Sequence, residues 1–518
     1  MRIRKTIYKD FISQYWILLL IIVLKMIVQY VVVNPVYELH RDEFLHLDQA
    51  NHLSFGFISV PPFTSMVSKL IYLLGGSIFW VKFFPALFGA LTIAFAWFIV
   101  ETLGGKLLAK ILVSTALLFS AMARINMLFQ PNSFDILAWT MIFYLLLKYV
   151  QSEKPKWLYL LAIVIAIGMY NKYNPAFLLI GLTAGLLLNS QRHILLKSSL
   201  WKAVLLLVIL LLPNIIWQVI HHFPVMEHMK ALKSSQLDNN TSAGFLKDQV
   251  LFFSGSLLLI VSAMVAFIYF RPFRPYRFVG LTFVLVIVLF AFLKAKGYYA
   301  IGLYPVVLAF GSVYIERIFK RYWKPVVVSS LIMINLMVFI LTVKIVYPIY
   351  SPSEIIQHTK EFEKLGMLRW EDGQNHALPQ DFADMIGWKE MALKSLKAYK
   401  MIPVDELKYT LVFCDNYGQV GALNYYNRSK MPEAYSFNTD YIYWLPRLTL
   451  IKNILLVGKE PDKEIIHLFF SYKIIDSVGN AFAREKGTKI ILLSGAKPEF
   501  TEIFYKKAEE RKATFDIF

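Results

Sequence analysis

The densest run of groups able to do chemistry lies between residues 34 and 63, NPVYELHRDEFLHLDQANHLSFGFISVPPF, with Glu38, His40, Arg41, Asp42, Glu43, His46, Asp48 and His52. Carboxylates and imidazoles at this density suit general acid–base chemistry, in which a carboxylate takes the proton of an attacking hydroxyl or amine. Adjacent acids point different ways on a helix, so only one of Asp42 and Glu43 faces any one cavity. A short helix over residues 40–54 would pair Asp42 with His46, and Asp48 with His52, at i,i+4. The same pattern also fits an amphipathic helix on a membrane surface with a solvated polar face.

Three other stretches carry candidate groups. RINMLFQPNSFDILAW, residues 124–139, contains Asp135. It reads as a second acid, or as a charge favouring the positive end of a helix that Asn132 and Ser133 cap. NKYNP at 171–175 supplies Lys172, and KAKGYYAIGLYP at 294–305 supplies Lys294 and Lys296; Arg124 belongs with them. Such cations hold a lipid phosphate, and they also anchor helix ends at a membrane interface. In PNIIWQVIHHFPVMEHMKALKSSQL, residues 213–237, the set His221, His222, Glu227 and His228 matches no helical zinc spacing. No metal site is assigned; a divalent metal is compatible with the chemistry but not indicated. FCDNYGQVGAL is not a GxGxxG phosphate cradle.

The elements that must position these groups are set by composition. The chain has 518 residues, 57% hydrophobic and 17% charged, with mean hydropathy +0.52. An ordinary soluble domain carries about 25% charged residues, so this is a polytopic membrane protein. Apolar runs near 12–33, 79–100, 107–123, 134–150, 157–171, 174–190, 202–220, 250–270, 278–294, 298–315 and 325–347 suggest about eleven transmembrane helices. The first is expected to stay as an anchor, since no small-residue cleavage site follows it. Lys25, deep in that run, is either functional or a lysine that snorkels or pairs inside the bundle. The single cysteine, Cys414, excludes an intramolecular disulfide.

The net charge of +19 is explained by topology, not by nucleic acid. Basic residues concentrate on alternate turns, from Arg2, Arg4, Lys5 and Lys9 through Arg271, Arg274 and Arg277 to Arg317, Lys320, Arg321 and Lys324. The positive-inside rule then puts the N-terminus in the cytoplasm and the 34–78 loop outside.

From about residue 350 the composition turns mixed and charged. SPSEIIQHTKEFEKLG and DFADMIGWKEMALKSLKAYKMI read as helices, the second opened by Asp381. YTLVFC, NILLVG, YKIIDSVG and KIILLSG read as short buried strands. The expectation is a membrane domain over 1–349, with its catalytic acid on the 34–78 loop, and an external α/β domain over 350–518.

RDEFLHLDQANHLSFGFISVPPF resembles the first external loop of family-39/83-type membrane glycosyltransferases of the GT-C superfamily. That group includes protein O-mannosyltransferases and the lipid A aminoarabinose transferase, with an Asp-Glu pair after the first span and a Pro-Pro element. Here these are Asp42-Glu43 and Pro61-Pro62. The resemblance implies Asp42 as catalytic base with Glu43 as second choice, and Asp135 as a further acid. Lys172, Lys294, Lys296 and Arg124 become donor-phosphate ligands. Arg41, His46, Tyr298, Tyr299, Tyr304, Trp217 and Gln218 become substrate contacts. One departure stands out: the aminoarabinose transferases have an acidic-Lys pair before Pro-Pro, whereas this chain has Ser59-Val60. Their substrate and any metal ligand there do not carry over.

The resemblance implies an inverting glycosyltransferase of the bacterial plasma membrane. It would move a sugar from a polyprenyl-phosphate donor to a lipid, glycan or protein acceptor of the cell envelope, without a required cofactor and without nucleic acid. The alternative is a transporter or flippase of a lipid-linked sugar. Against it, no internal repeat is visible, and the acids sit in a long loop instead of at the bilayer midplane.

Overall fold

A computed structural model describes residues 2–515, with side chains described from Tyr15 onward. The N-terminal basic residues of the charge pattern, Arg2, Arg4, Lys5 and Lys9, therefore fall outside the described side chains. The chain divides into two units: Met1–Val33, Phe79–Ile215 and Asn240–Ile349; and Asn34–Ile78, Ile216–Asn239 and Tyr350–Phe518.

The first unit is helical, and the expected apolar runs are largely helical, though the 250–270 run is split between Ser242–Phe252 and Leu257–Tyr269, and the helix of the 107–123 run ends at Leu118. Six described helices are long and apolar enough to cross a bilayer: Ile78–Thr102, Pro131–Ser152, Ser198–Ile220, Arg271–Phe292, Gly297–Ile318 and Trp323–Val346. A seventh crossing results if Ser242–Phe252 and Ser254–Tyr269, bent by 69° at their junction, count as one span. The first helix runs Arg2–Val31, 30 residues; Leu107–Leu118, Lys156–Asn171 and Pro175–Leu187 are apolar but only 12–16 residues long. At about 1.5 Å per residue these shorter helices fall short of a hydrocarbon core about 30 Å thick.

Burial sorts these helices. Only 17% of the apolar window of Ser198–Ile220, and of Trp323–Val346, is buried within the protein, against 83% for Gly297–Ile318. Apolar helices left uncovered on most sides are suited to lipid contact. The central helix packs closely because Gly311 has no side chain: a Cβ there would stand 2.1 Å from the Leu259 carbonyl oxygen.

The second unit is α/β. Its strands are β1 (Thr410–Cys414), β2 (Ala434–Tyr435), β3 (Asn453–Gly458), β4 (Phe469–Ser477) and β5 (Lys489–Ala496), in the order β2-β1-β3-β5-β4. β1 pairs parallel with β2 and β3, Val412 lying opposite Leu455, and β5 pairs antiparallel with β3 and β4. All four expected strands are present, since short apolar runs between turns declare themselves locally.

The four helices used below are α1 (Arg41–Asp48), α2 (Phe63–Leu73), α3 (Trp388–Tyr399) and α4 (Tyr417–Tyr426). The single helix expected from Asp381 is broken. Gln380–Ala383 forms one turn, and α3 begins only after Gly387, at φ 90°. A glycine tolerates that left-handed conformation, which interrupts the helix.

Residues 34–78 pack as part of this unit. Glu38 N donates to Met385 O at 2.7 Å and Arg41 N to Asp384 O at 3.2 Å. Phe44 is buried among Trp388, Tyr425 and Tyr426, with ring centroids 5.7–5.8 Å away. α1 and α4 approach closely enough that a Cβ on Gly421 would lie 2.7 Å from Phe44 Cβ.

Candidate active site

α1 begins with an unusual cap. His40 is the N-cap residue, and its Nδ1 accepts from Asp42 N at 3.2 Å, while the Glu43 carboxylate accepts from His40 N at 2.7 Å. This is a capping box with a histidine in the place usually taken by serine or threonine. It separates the two adjacent acids. Glu43 is fully buried and committed to the helix start. Asp42, with a third of its side chain exposed (34%), is the acid that α1 presents.

Asp42 Oδ1 accepts from the Tyr417 hydroxyl at 2.7 Å, and His40 Nδ1 lies 3.8 Å from Oδ2. The Arg41 guanidinium stacks over the Tyr417 ring, 4.4 Å from its centroid. Burial on its own would raise the Asp42 pKa. The neighbouring His40 imidazole, the Arg41 guanidinium charge and the Tyr417 hydrogen bond outweigh it, and the carboxyl is held at about 2. Asp42 is therefore an ionised acceptor at every physiological pH.

The rest of α1 is clasped by the C-terminal segment. Asp48 is buried, and its Oδ2 accepts from Asn424 Nδ2 at 2.6 Å and from the Tyr441 hydroxyl at 2.9 Å. Burial raises its pKa to about 7 against these bonds. In return, Asp440 Oδ2 accepts from Gln49 Nε2 at 2.9 Å and from Ser59 Oγ at 2.7 Å, and its Oδ1 accepts from Ile58 N at 2.6 Å. Ser59 thus holds the loop to the domain.

His46 shares the helix with Asp42 as expected. It is buried, and burial lowers its pKa; its Nδ1 pairs with Gln49 Oε1 at 3.3 Å. The expected Asp48–His52 pairing is not formed, because α1 ends at Asp48 and the chain tightens into a 3-10 turn over Gln49–Asn51. His52 instead stacks on Trp444 at 4.1 Å. Trp217, also in this unit, stacks on His221 at 4.1 Å and packs its ring against Gly56, and Gln218 beside it is buried.

In the first unit, three separate motifs meet. Pro131 opens its helix at the first position, and Asn171 Nδ2 donates to its carbonyl at 2.8 Å. Asp135 is buried, its Oδ2 accepting from Asn174 Nδ2 at 2.7 Å. Asn174 Nδ2 also reaches Tyr299 O at 3.1 Å. The Lys172 ammonium donates to Asn132 Oδ1 at 2.9 Å and lies over the rings of Tyr299 (4.0 Å) and Tyr298 (5.2 Å). The result is a cation framed by two aromatic faces and the Asn132 carboxamide, with the Asp135 carboxylate interacting with it electrostatically, and a cation of this kind can receive a phosphate.

The remaining candidates are placed differently. Lys294 is exposed with its backbone left-handed at φ 50°, and Lys296 is half-buried at the start of the Gly297–Leu303 turn. Tyr304 is buried, its hydroxyl donating to Gln249 Oε1 at 3.0 Å and its ring stacked on Phe253 at 4.1 Å. Arg124 lies in the short Met122–Ile125 helix, whose Ala123 packs with Met127 and Tyr347. Among the described residues, no three His, Cys, Asp or Glu side chains gather in a metal-holding group.

Tyr417, Asn424, Asp440 and Tyr441 had no role assigned from sequence. The available hint was the spacing of Gly418 and Gly421 in NYGQVGALNYYN, which leaves one face of a helix bare for close packing.

An apolar helical bundle, a polar first loop bearing an Asp-Glu pair, and a C-terminal sheet domain together define a membrane protein of the GT-C glycosyltransferase fold. Residues 59–217 match the family described as dolichyl-phosphate-mannose-protein mannosyltransferase. The whole chain is similar to the crystal structure of ArnT from Cupriavidus metallidurans in the apo state, with TM-score 0.60 and 12% identity over 93% of this chain and 98% of that one. It is similar also to the same protein bound to undecaprenyl phosphate, with TM-score 0.58 and 12% identity over 92% and 98%. A weaker likeness is to the archaeal oligosaccharyltransferase AglB from Archaeoglobus fulgidus, with TM-score 0.49 and 10% identity over 86% and 70%. No curated protein sequence matches the chain.

Proposed function

We propose that this protein is an inverting glycosyltransferase that takes a sugar from a polyprenyl-phosphate donor and transfers it to a cell-envelope acceptor, a lipid, glycan or protein. The observation that carries the reading is Asp42, kept ionised and presented by a capped helix while its neighbour Glu43 is spent on the cap.

The acceptor hydroxyl attacks the anomeric carbon opposite the phosphate in a single displacement. The new C–O bond forms as the bond from C1 to the phosphate oxygen breaks, and that bond's electron pair leaves on the lipid phosphate. Asp42 takes the acceptor proton and passes it to solvent. A carboxylate held near 2 is a weak base towards a free hydroxyl. It acts late, once the attacking oxygen has begun to bond and its proton has become acidic. Lys172, framed by Tyr298 and Tyr299, is the favoured ligand of the donor phosphate, with Lys294, Lys296 and Arg124 as further cations. The displacement needs no cofactor, because fixed cations supply the charge that the leaving phosphate requires.

The same reading has the protein in a bacterial plasma membrane, with its N-terminus cytoplasmic and its α/β domain on the outer face, which the alternation of basic residues along the sequence supports. The likeness to a transferase structure holding undecaprenyl phosphate supports the donor class.

The test is to supply purified protein with polyprenyl-phosphate sugars and follow release of polyprenyl phosphate, in wild type and in Asp42→Asn. Release in wild type and its loss in the variant are expected. Undiminished turnover in Asp42→Asn would remove the base assignment. Transbilayer movement of the donor without release would favour a flippase.

A further inference from the structure

The α/β unit has a corner where a ligand would be expected. The chain leaves β1, runs through α4 to β2 on one side, and returns to β3 on the other side of β1. In open parallel sheets such a reversal opens a crevice beyond the carboxyl ends of the strands, and ligands bind there. Here the residues that follow β1 are Asp415, Asn416 and Tyr417, and what meets Tyr417 is the catalytic helix α1.

The corner is rigidly built. Asn416 caps α4, accepting from Gly418 N at 3.0 Å and Gln419 N at 3.2 Å. Asn438 Oδ1 accepts from Tyr417 N at 3.1 Å. A Cβ on Gly418 would stand 3.2 Å from Arg41 Cβ, so α4 lies directly against the start of α1.

We infer that the C-terminal α/β domain is part of the catalytic apparatus, its sheet-reversal corner seating the first loop and Tyr417 acting as the positioning residue that orients the Asp42 carboxylate. The inference rests on the glycosyltransferase reading and gives the α/β domain a task within it. Tyr417 acts in two ways. Its hydroxyl holds Asp42 Oδ1 and so fixes the plane of the carboxylate. Its ring holds the Arg41 guanidinium beside that same carboxylate. The charged and titratable groups facing Asp42 are His40, Arg41 and His46 from α1 and its cap, Tyr417 from α4, and Asp384 from the segment before α3, a carboxylate that also faces His40 and Arg41.

Tyr417→Phe isolates the hydroxyl, because a phenyl ring keeps the stacking on Arg41. The expected result is a fall of about ten- to a hundred-fold in kcat, the cost of a misdirected reacting group. KM for the donor is expected to stay within about two-fold, and the acid limb of the kcat–pH profile to move upward, since one hydrogen bond to the ionised form is lost. The control is Tyr425→Phe, which removes a different bond across the same packing, from the Tyr425 hydroxyl to Gly76 O at 3.0 Å. It is expected to leave both kcat and the pH profile unchanged.

An unchanged kcat and pH profile in a folded Tyr417→Phe protein would overturn the inference. So would equal losses in both variants, which would make the effect mere adhesion. If Asp42→Asn is inactive while Tyr417→Phe is normal, the glycosyltransferase reading survives and only this inference fails. If wild type releases no polyprenyl phosphate, it is the glycosyltransferase reading that falls.

Discussion

Asp48, on the first loop, and Tyr441, 393 residues further along the chain, share a buried hydrogen bond of 2.9 Å between hydroxyl and carboxylate. Its strength is tied to pH. Burial raises the folded-state pKa of Asp48 from 3.8 to about 7. Between those values the folded protein keeps the proton and the unfolded chain loses it. Stability is therefore greatest at the acid end of the window and falls as pH rises through about 7. Asp48→Asn, which keeps an acceptor and removes the charge, is expected to be more stable than wild type at pH 8 by on the order of a few kcal/mol. The gain should vanish towards pH 4. Thermal unfolding of detergent-solubilised protein at both pH values checks this, and a pH-independent difference would contradict it.

The cap geometry separates two adjacent acids. Glu43→Gln preserves an acceptor for His40 N and is expected to cost about 1 kcal/mol of stability or less, with most activity retained. Asp42→Asn is expected to lower turnover by at least about a hundred-fold, the usual scale for losing a positioned general base. Comparing the two rates under saturating donor decides the matter. The reverse ranking would transfer the base role to Glu43.

Lys172 is held by Asn132 and two tyrosine faces, with the Asp135 carboxylate interacting at longer range. Lys172→Met keeps the length of the stem and removes the charge. A rise of about ten-fold or more in KM for the polyprenyl-phosphate donor is expected, the scale of one charge-assisted hydrogen bond. Donor titrations at fixed acceptor measure it, and an unchanged KM would remove Lys172 from the phosphate site.

Gly421 poses two opposed effects. Alanine in its place gains about 1 kcal/mol of helix propensity. The added methyl would stand 2.7 Å from Phe44 Cβ and 2.9 Å from the Phe44 carbonyl carbon, groups fixed to the backbone of α1. Overpacking of that kind costs about 1–3 kcal/mol, so the clash is expected to win. Gly421→Ala should unfold at lower temperature and expose the 34–78 segment to proteolysis earlier than wild type.

Much of the fold was legible because its signals are local. Apolar runs and short buried strands are written in consecutive residues, so the helices and β1, β3, β4 and β5 fall where periodicity puts them. Caps are local in the same way: Ser351 and Glu354 form a capping box within four residues. Reading failed where one residue overrode its neighbours. Gly387 interrupts a strongly helical stretch, and the end of α1 at Asp48 sends His52 to Trp444.

The sequence by itself determined that this chain lives in a membrane, that a polar loop follows its first apolar run, and that an α/β domain follows the apolar segment. Transfer free energies and local backbone hydrogen bonding decide those matters, and both act over short stretches of chain. Tertiary structure alone decided which acid is presented, through a histidine that takes the place of a hydroxyl in the cap. It also decided that residues 34–78 pack with the α/β domain, because Asp42, Asp48 and Asp440 find their partners more than 370 positions away. In the same way it gathered Asn132, Lys172 and Tyr299 from three motifs. Such pairings depend on which surfaces close against one another, and no spacing within a single stretch records that.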